Sequence, residues 1–148
     1  MPSTEHEGWP TPAWAEDNKR KAALIAARVE EAESALSTAW PDLKASGYGA
    51  LVRRTVRLPG AQVDLWPMAG EPAWCAAVYD SPISRCVTSE VRGPRDLPCT
   101  ARATLAAALV RAMADKALPA ATVEALRAGR QRLVAAETTD EDQAEDNG

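Results

Sequence analysis

Phenylalanine is absent from this chain of 148 residues, histidine occurs once, and aromatic side chains make up only 5% of it. Each shortage excludes something. Without phenylalanine, alanine, leucine and valine must build most of the core, which favours close helix packing over a roomy ligand cavity. The lone histidine, His6, falls in a polar, proline-rich leader, so Ser-His and Cys-His catalysis and histidine-ligated metal centres have no place in a folded body. Three cysteines, Cys75, Cys86 and Cys99, leave at least one thiol unpaired, which fits a reducing, cytoplasmic compartment. They stand eleven and thirteen residues apart, not at the close spacing of a structural zinc site, and read as small buried hydrophobes. No metal and no cofactor is expected.

Glycine-rich phosphate loops are missing as well, and "RGPRD" from Arg92 to Asp96 reads as a solvated loop. Asp64, Glu71, Asp80, Glu90 and Asp96 are scattered through the middle of the chain, and no two are singled out as a catalytic pair. No apolar run is long enough to span a membrane, and the N-terminus does not have the basic-then-apolar order of a secretory signal. A small-molecule substrate is not expected.

What is present is a division of charge. The net −4 conceals four acidic and no basic residues in 1–18, and six acidic and no basic residues in 137–148. All 17 basic residues therefore lie in 19–136 against 11 acidic ones, a body at +6 between acidic ends. The surplus of alanine, and of arginine over lysine, suggests a bacterial or phage coding sequence of high GC content. Composition and breakers divide the chain into a disordered leader (1–15), one domain (16–136) and a disordered acidic tail (137–148).

Within the domain, Ile25, Val29, Ala32, Leu36 and Ala39 recur at helical spacing from a start near Glu16, and Pro41 ends the run. "PDLKASG" then reads as a turn ending at Gly47. The period changes to two in "ALVRRTVRLPGAQVDLWPM". A two-residue hairpin at Pro59-Gly60 sets Leu58 opposite Ala61 and Val56 opposite Val63, although a type II turn suits hairpin twist poorly. These residues form one apolar face, joined by Val52 and Leu65. The other face carries Arg53, Thr55, Arg57, Gln62, Asp64 and Trp66, with Arg53 placed to stack across from Trp66.

"EPAWCAAVYD" and "ISRCVTSEV" predict two more strands, "RGPRDLPC" a loop, and Thr100 the cap of a second helix with Leu105, Leu109, Ala112 and Met113 inward. A third helix restarts at "LPAAT". Val123, Leu126, Arg130 and Leu133 form its weak stripe, and Gly129 costs it about 1 kcal/mol against alanine. The order predicts an α+β two-layer sandwich: an N-terminal helix, a three- to four-stranded antiparallel sheet and two C-terminal helices.

With no catalytic parts in view, the sequence points to a non-catalytic protein-interaction domain, an accessory or regulatory factor. Its partner-binding residues are Arg53, Arg57 and Trp66 on the sheet, with Trp9 and Trp14 of the leader as a second element. The alternative is nucleic-acid binding by the basic body, gated by the acidic ends, through Lys19, Arg20, Lys21, Arg127, Arg130 and Arg132.

Overall fold

A computed structural model describes residues 12–47, 52–68, 72–80 and 85–147, with the side chains of the last helix described as far as Glu137. Its element order is α1 (Pro12–Ala39), β1 (Ser46–Gly47), β2 (Arg54–Leu58), β3 (Ala61–Pro67), β4 (Trp74–Asp80), β5 (Cys86–Arg92), α2 (Ala101–Met113) and α3 (Ala120–Asn147). The five strands form one antiparallel meander in the order β1-β2-β3-β4-β5. The α+β class is as expected, with one more strand than the sequence suggests. β1 is the addition: two exposed residues paired with Arg54 and Thr55, too short to carry a period and masked by glycine and serine that read as a turn.

The hairpin forms in the expected register, Leu58 opposite Ala61 and Val56 opposite Val63. Gly60 takes φ 74°, the left-handed value that the second central residue of a type II turn demands. The hydroxyl of Thr122 donates to the carbonyl of Pro59 (2.6 Å), so the turn is pinned to the start of α3. The poor match of twist is therefore tolerated without a bulge; the irregularity falls instead between β4 and β5, at Val78/Tyr79.

Val56, Leu58, Ala61, Val63, Leu65, Trp74, Ala76 and Val78 meet Leu36, Leu105, Leu109, Leu126 and Leu133 in a single core. α1 and α2 lie on this face of the sheet, and α3 packs mainly on the two helices. Alanine at 32, 35, 39, 101, 108 and 112 is buried throughout, which lets the helix backbones approach closely in a core without phenylalanine.

Side chains close the helix ends. Thr100 caps α2 by accepting from the amide of Ala103 (3.1 Å). The Glu31 carboxylate, on α1, accepts from the amide of Ala101 (2.7 Å), placing negative charge at the positive end of the α2 dipole. At the other end of α1, Arg132 donates to the carbonyl of Ala39 (2.8 Å).

Both long helices run beyond the limits drawn from sequence. α1 begins at Pro12 rather than near Glu16, because a proline in the first turn lacks only an N–H that has no helical acceptor. Trp14 is therefore helical, while Trp9 lies in residues 1–11, outside the described residues. α3 continues to Asn147 through the stretch read as an acidic tail; between Gly129 and Asn147 there is neither proline nor glycine to break it. Among the described residues, no helix is long and apolar enough to cross a membrane.

Candidate functional site: the sheet face opposite the helices

The alternation of the strands sends Thr55 and Arg57 from β2, with Arg53 just before it, Gln62, Asp64 and Trp66 from β3, and Cys75, Ala77 and Tyr79 from β4 to the face away from the core. No described helix packs there. Its centre is nonetheless closed, since Thr55, Gln62, Asp64 and Cys75 are buried, while Arg53, Trp66 and Tyr79 are half-buried and Arg57 is exposed.

Asp64 organises the closed centre. Its Oδ1 accepts from Thr55 Oγ1 (2.8 Å) and Gln62 Nε2 (3.0 Å), and Arg53 Nη1 lies 3.4 Å from Oδ2. The Asp64 side chain is only 3% exposed and that of Arg53 37%, so the carboxylate lies below and the guanidinium roofs it at the surface. The same guanidinium stands 4.0 Å from the centre of the Trp66 ring, the cation–π stack expected from the register. Arg53 is thus held in one pose by a ring and a carboxylate.

The electrostatics of the surrounding groups follow from this arrangement. Burial pushes the Tyr79 hydroxyl above its ordinary value, and the nearby Asp64 carboxylate adds to the effect while Arg53 opposes it. Cys75 is also pushed up, again mainly by burial, against the lowering influence of a contact with Ser89 (Sγ–Oγ 3.8 Å) and of Arg53. Only Cys75 fits the expectation of a buried cysteine; Cys86 is exposed and Cys99 half-buried. Cys86 sits at the irregular start of the edge strand, where alternation no longer predicts burial.

The basic clusters are not brought together. Lys21 and Arg20 pair with Asp17 at 3.1 and 4.0 Å on α1, and Lys19 is exposed on the same helix. On α3, Arg127 pairs with Glu124, Arg130 is exposed, and Arg132 is committed to capping α1. One of the three α3 arginines is thus structural, and the remaining two make no stripe.

Two residues that sequence reasoning left unused matter here. Asp64 stands at mid-strand among the polar face residues, and its position opposite Thr55 was available from the register. Arg28 had no such signal. It donates from α1 to the carbonyls of Met68 (3.0 Å) and Ala73 (2.7 Å) and lies 5.2 Å from the Trp74 ring, contacts that exist only once the chain has folded. Elsewhere, a shallow cavity of about 430 Å3 is lined by Glu33, Ser37, Pro41, Asp42, Leu43, Lys44 and Ala45. Its Glu33 is engaged by Arg54 at 2.8 Å. Among the described residues, no cluster of three or more metal-ligating side chains occurs. No family model matches the chain, and neither a curated protein nor a solved structure is significantly similar to it.

Proposed function

We propose that this chain is a non-catalytic protein-interaction module, an accessory or regulatory factor of a bacterial or phage cytoplasm, that binds its partner through the Arg53/Arg57/Trp66 sheet face. One observation carries the reading: Arg53 is stacked on Trp66 and tied to Asp64 on the side of the sheet that no described helix covers. Tryptophan and arginine contribute most to binding when their rotamers are fixed before the partner arrives, because less conformational entropy is then lost. Exposed Arg57 extends the same face with a charge that is not shared with Asp64. Catalysis is not part of the reading, since the carboxylate on this face is occupied by three donors. Trp14 belongs to a separate surface, on α1.

The test is affinity capture by the full chain, with and without nuclease, for the wild type and for Trp66→Ala and Arg57→Glu. Arg53→Ala is unsuited to it, because losing that guanidinium leaves Asp64 buried and short of its charge partner. Capture of the same protein by wild type in both halves, lost in both variants at an unchanged thermal midpoint, is the expected outcome. Capture that survives both substitutions rules out this face. Capture that disappears with nuclease favours instead nucleic-acid binding through Lys19, Arg20, Lys21, Arg127 and Arg130.

A further inference from the structure

The sheet ends at β5, and among the described residues no strand pairs with its far side. Two hydrogen bonds fix which of its main-chain groups are left over. The Met68 amide donates to the Ala73 carbonyl (2.9 Å) across β3 and β4, and the Asp80 amide to the Arg85 carbonyl (3.1 Å) across β4 and β5. Carried along the two registers, both assign the ladder bonds of β5 to Thr88, Glu90 and Arg92. The amides and carbonyls of Ser89 and Val91 therefore point away from the sheet.

This edge lacks the usual guards of a free strand. From Thr88 to Arg92 there is no lysine or proline, and the bulge lies earlier, where Val87 has no counterpart on β4. Its charges are engaged within the chain: Glu90 lies 3.0 Å from Arg111 of α2, and Arg92 donates to the carbonyls of Pro98 (3.1 Å) and Asp96 (3.2 Å). Ser89 is exposed, and so is Val91, at 52%. A second uncovered surface lies beside the edge. Arg111 marks the side of α2 that overhangs β5; Ala107 and Ala103, both half-buried, precede it by one and two turns, and Val110, 44% exposed, adjoins them.

We propose that β5 pairs with β5 of a second copy of the chain, antiparallel about a two-fold axis through Ser89, joining the two sheets into one. A free row of amides and carbonyls is complemented by another extended main chain, and this register suits a copy. It puts the smallest side chain of the strand on the axis and sets Glu90 opposite Thr88 of the second copy. Moving the axis to Glu90 would instead set two carboxylates opposite each other. The same two-fold lays the two copies of α2 side by side over the joined strands, where alanine at 103 and 107 permits close approach and Val110 is covered. A foreign strand would satisfy the edge and leave that stripe of α2 bare; a second copy covers both. From Val87 to Val91 the shared stretch spans about 17 Å at about 3.3 Å per residue, which makes the dimer a weak, concentration-dependent one. The Arg53/Trp66 face stays open, so the pairing does not rest on the function proposed above.

Sedimentation equilibrium and amide hydrogen exchange of the full chain, over a series reaching high micromolar concentration, test the proposal. Wild type should show a reversible monomer–dimer equilibrium. The Ser89 amide should gain protection as concentration rises, while the Glu90 amide, bonded within the sheet, stays protected throughout. Ser89→Pro removes an edge amide that the β4 ladder does not use, and Val110→Glu puts two carboxylates where the helices meet. Each should weaken the dimer by about tenfold or more, since symmetry counts every change twice. Val110 is exposed, so that variant should keep the wild-type thermal midpoint. A wild type that stays monomeric, Ser89 protection independent of concentration, or a Val110→Glu chain that dimerises as well as wild type would each overturn it. Protection of Ser89 that appears only on adding another protein would do so too, assigning the edge to that protein's strand.

Discussion

Gly129 looks like a defect in α3, since glycine inside a helix costs about 1 kcal/mol against alanine. The structure gives it a reason. A Cβ at position 129 would stand 2.6 Å from two ring carbons of Trp40 and 2.8 Å from its Nε1, far inside contact distance. Trp40 has little room to retreat: it is buried, and its Nε1 donates to the carbonyl of Ala125 (2.9 Å) one turn earlier on α3. Gly129→Ala therefore gains about 1 kcal/mol of propensity but incurs about 1–3 kcal/mol of overpacking, plus about 1 kcal/mol when the indole shift breaks its hydrogen bond. The net expectation is a loss of about 2 kcal/mol, a fall of about 4–8 °C in Tm for a chain of this size. Chemical denaturation of Gly129→Ala, and of the same change in a Trp40→Leu background, isolates the contact. In the second background the propensity gain should emerge and alanine should stabilise. An alanine at 129 that stabilises the protein with Trp40 intact would refute the reasoning.

Three further expectations concern charge and thiols. Asp64→Asn removes the charge beneath Arg53 and points an amide group at donors from Thr55 and Gln62. With Arg53 partly exposed, the expected loss is about 2 kcal/mol in urea denaturation, and a loss below about 0.5 kcal/mol would mean that the network contributes nothing. Asp115 is held below the ordinary carboxylate range, chiefly by the hydrogen bond from Arg85 (2.8 Å) and next by the Ala117 amide (2.8 Å). Its depressed folded value means stability that is present above the unfolded pKa of about 3.9 and lost as pH falls through the folded one, so Asp115→Asn should flatten the acid limb of a Tm–pH profile. Burial raises the Cys75 thiol while Cys86 is exposed, so a disulfide reagent at mild alkaline pH should label Cys86 well before Cys75, as Cys86→Ser and Cys75→Ser variants would reveal; equal rates contradict the burial.

How far the fold could be read beforehand depended on where each element's information lies. The β2–β3 hairpin was legible because alternation and Pro59-Gly60 act within a few residues, and they agreed. The cap at Thr100 and the stripe of Leu105, Leu109 and Ala112 were local for the same reason. Helix ends were less legible: Pro12 near Trp14 suits the first turn of a helix as well as a leader, and the acidic residues after Glu137 contain no proline or glycine to mark an end. The purposes of Gly129, Arg132 and Arg28 were illegible in principle, since each acts on a residue at least forty positions away.

The site divides along the same line. The stack of Arg53 on Trp66 follows from hairpin register alone, whereas the burial of Asp64 depends on how its neighbours close over it. That burial changes what the face is. A loose arginine would serve any anionic visitor, but one fixed between an indole and a buried carboxylate offers its remaining donors in a set direction, which suits a shaped protein surface better than a flexible phosphate chain.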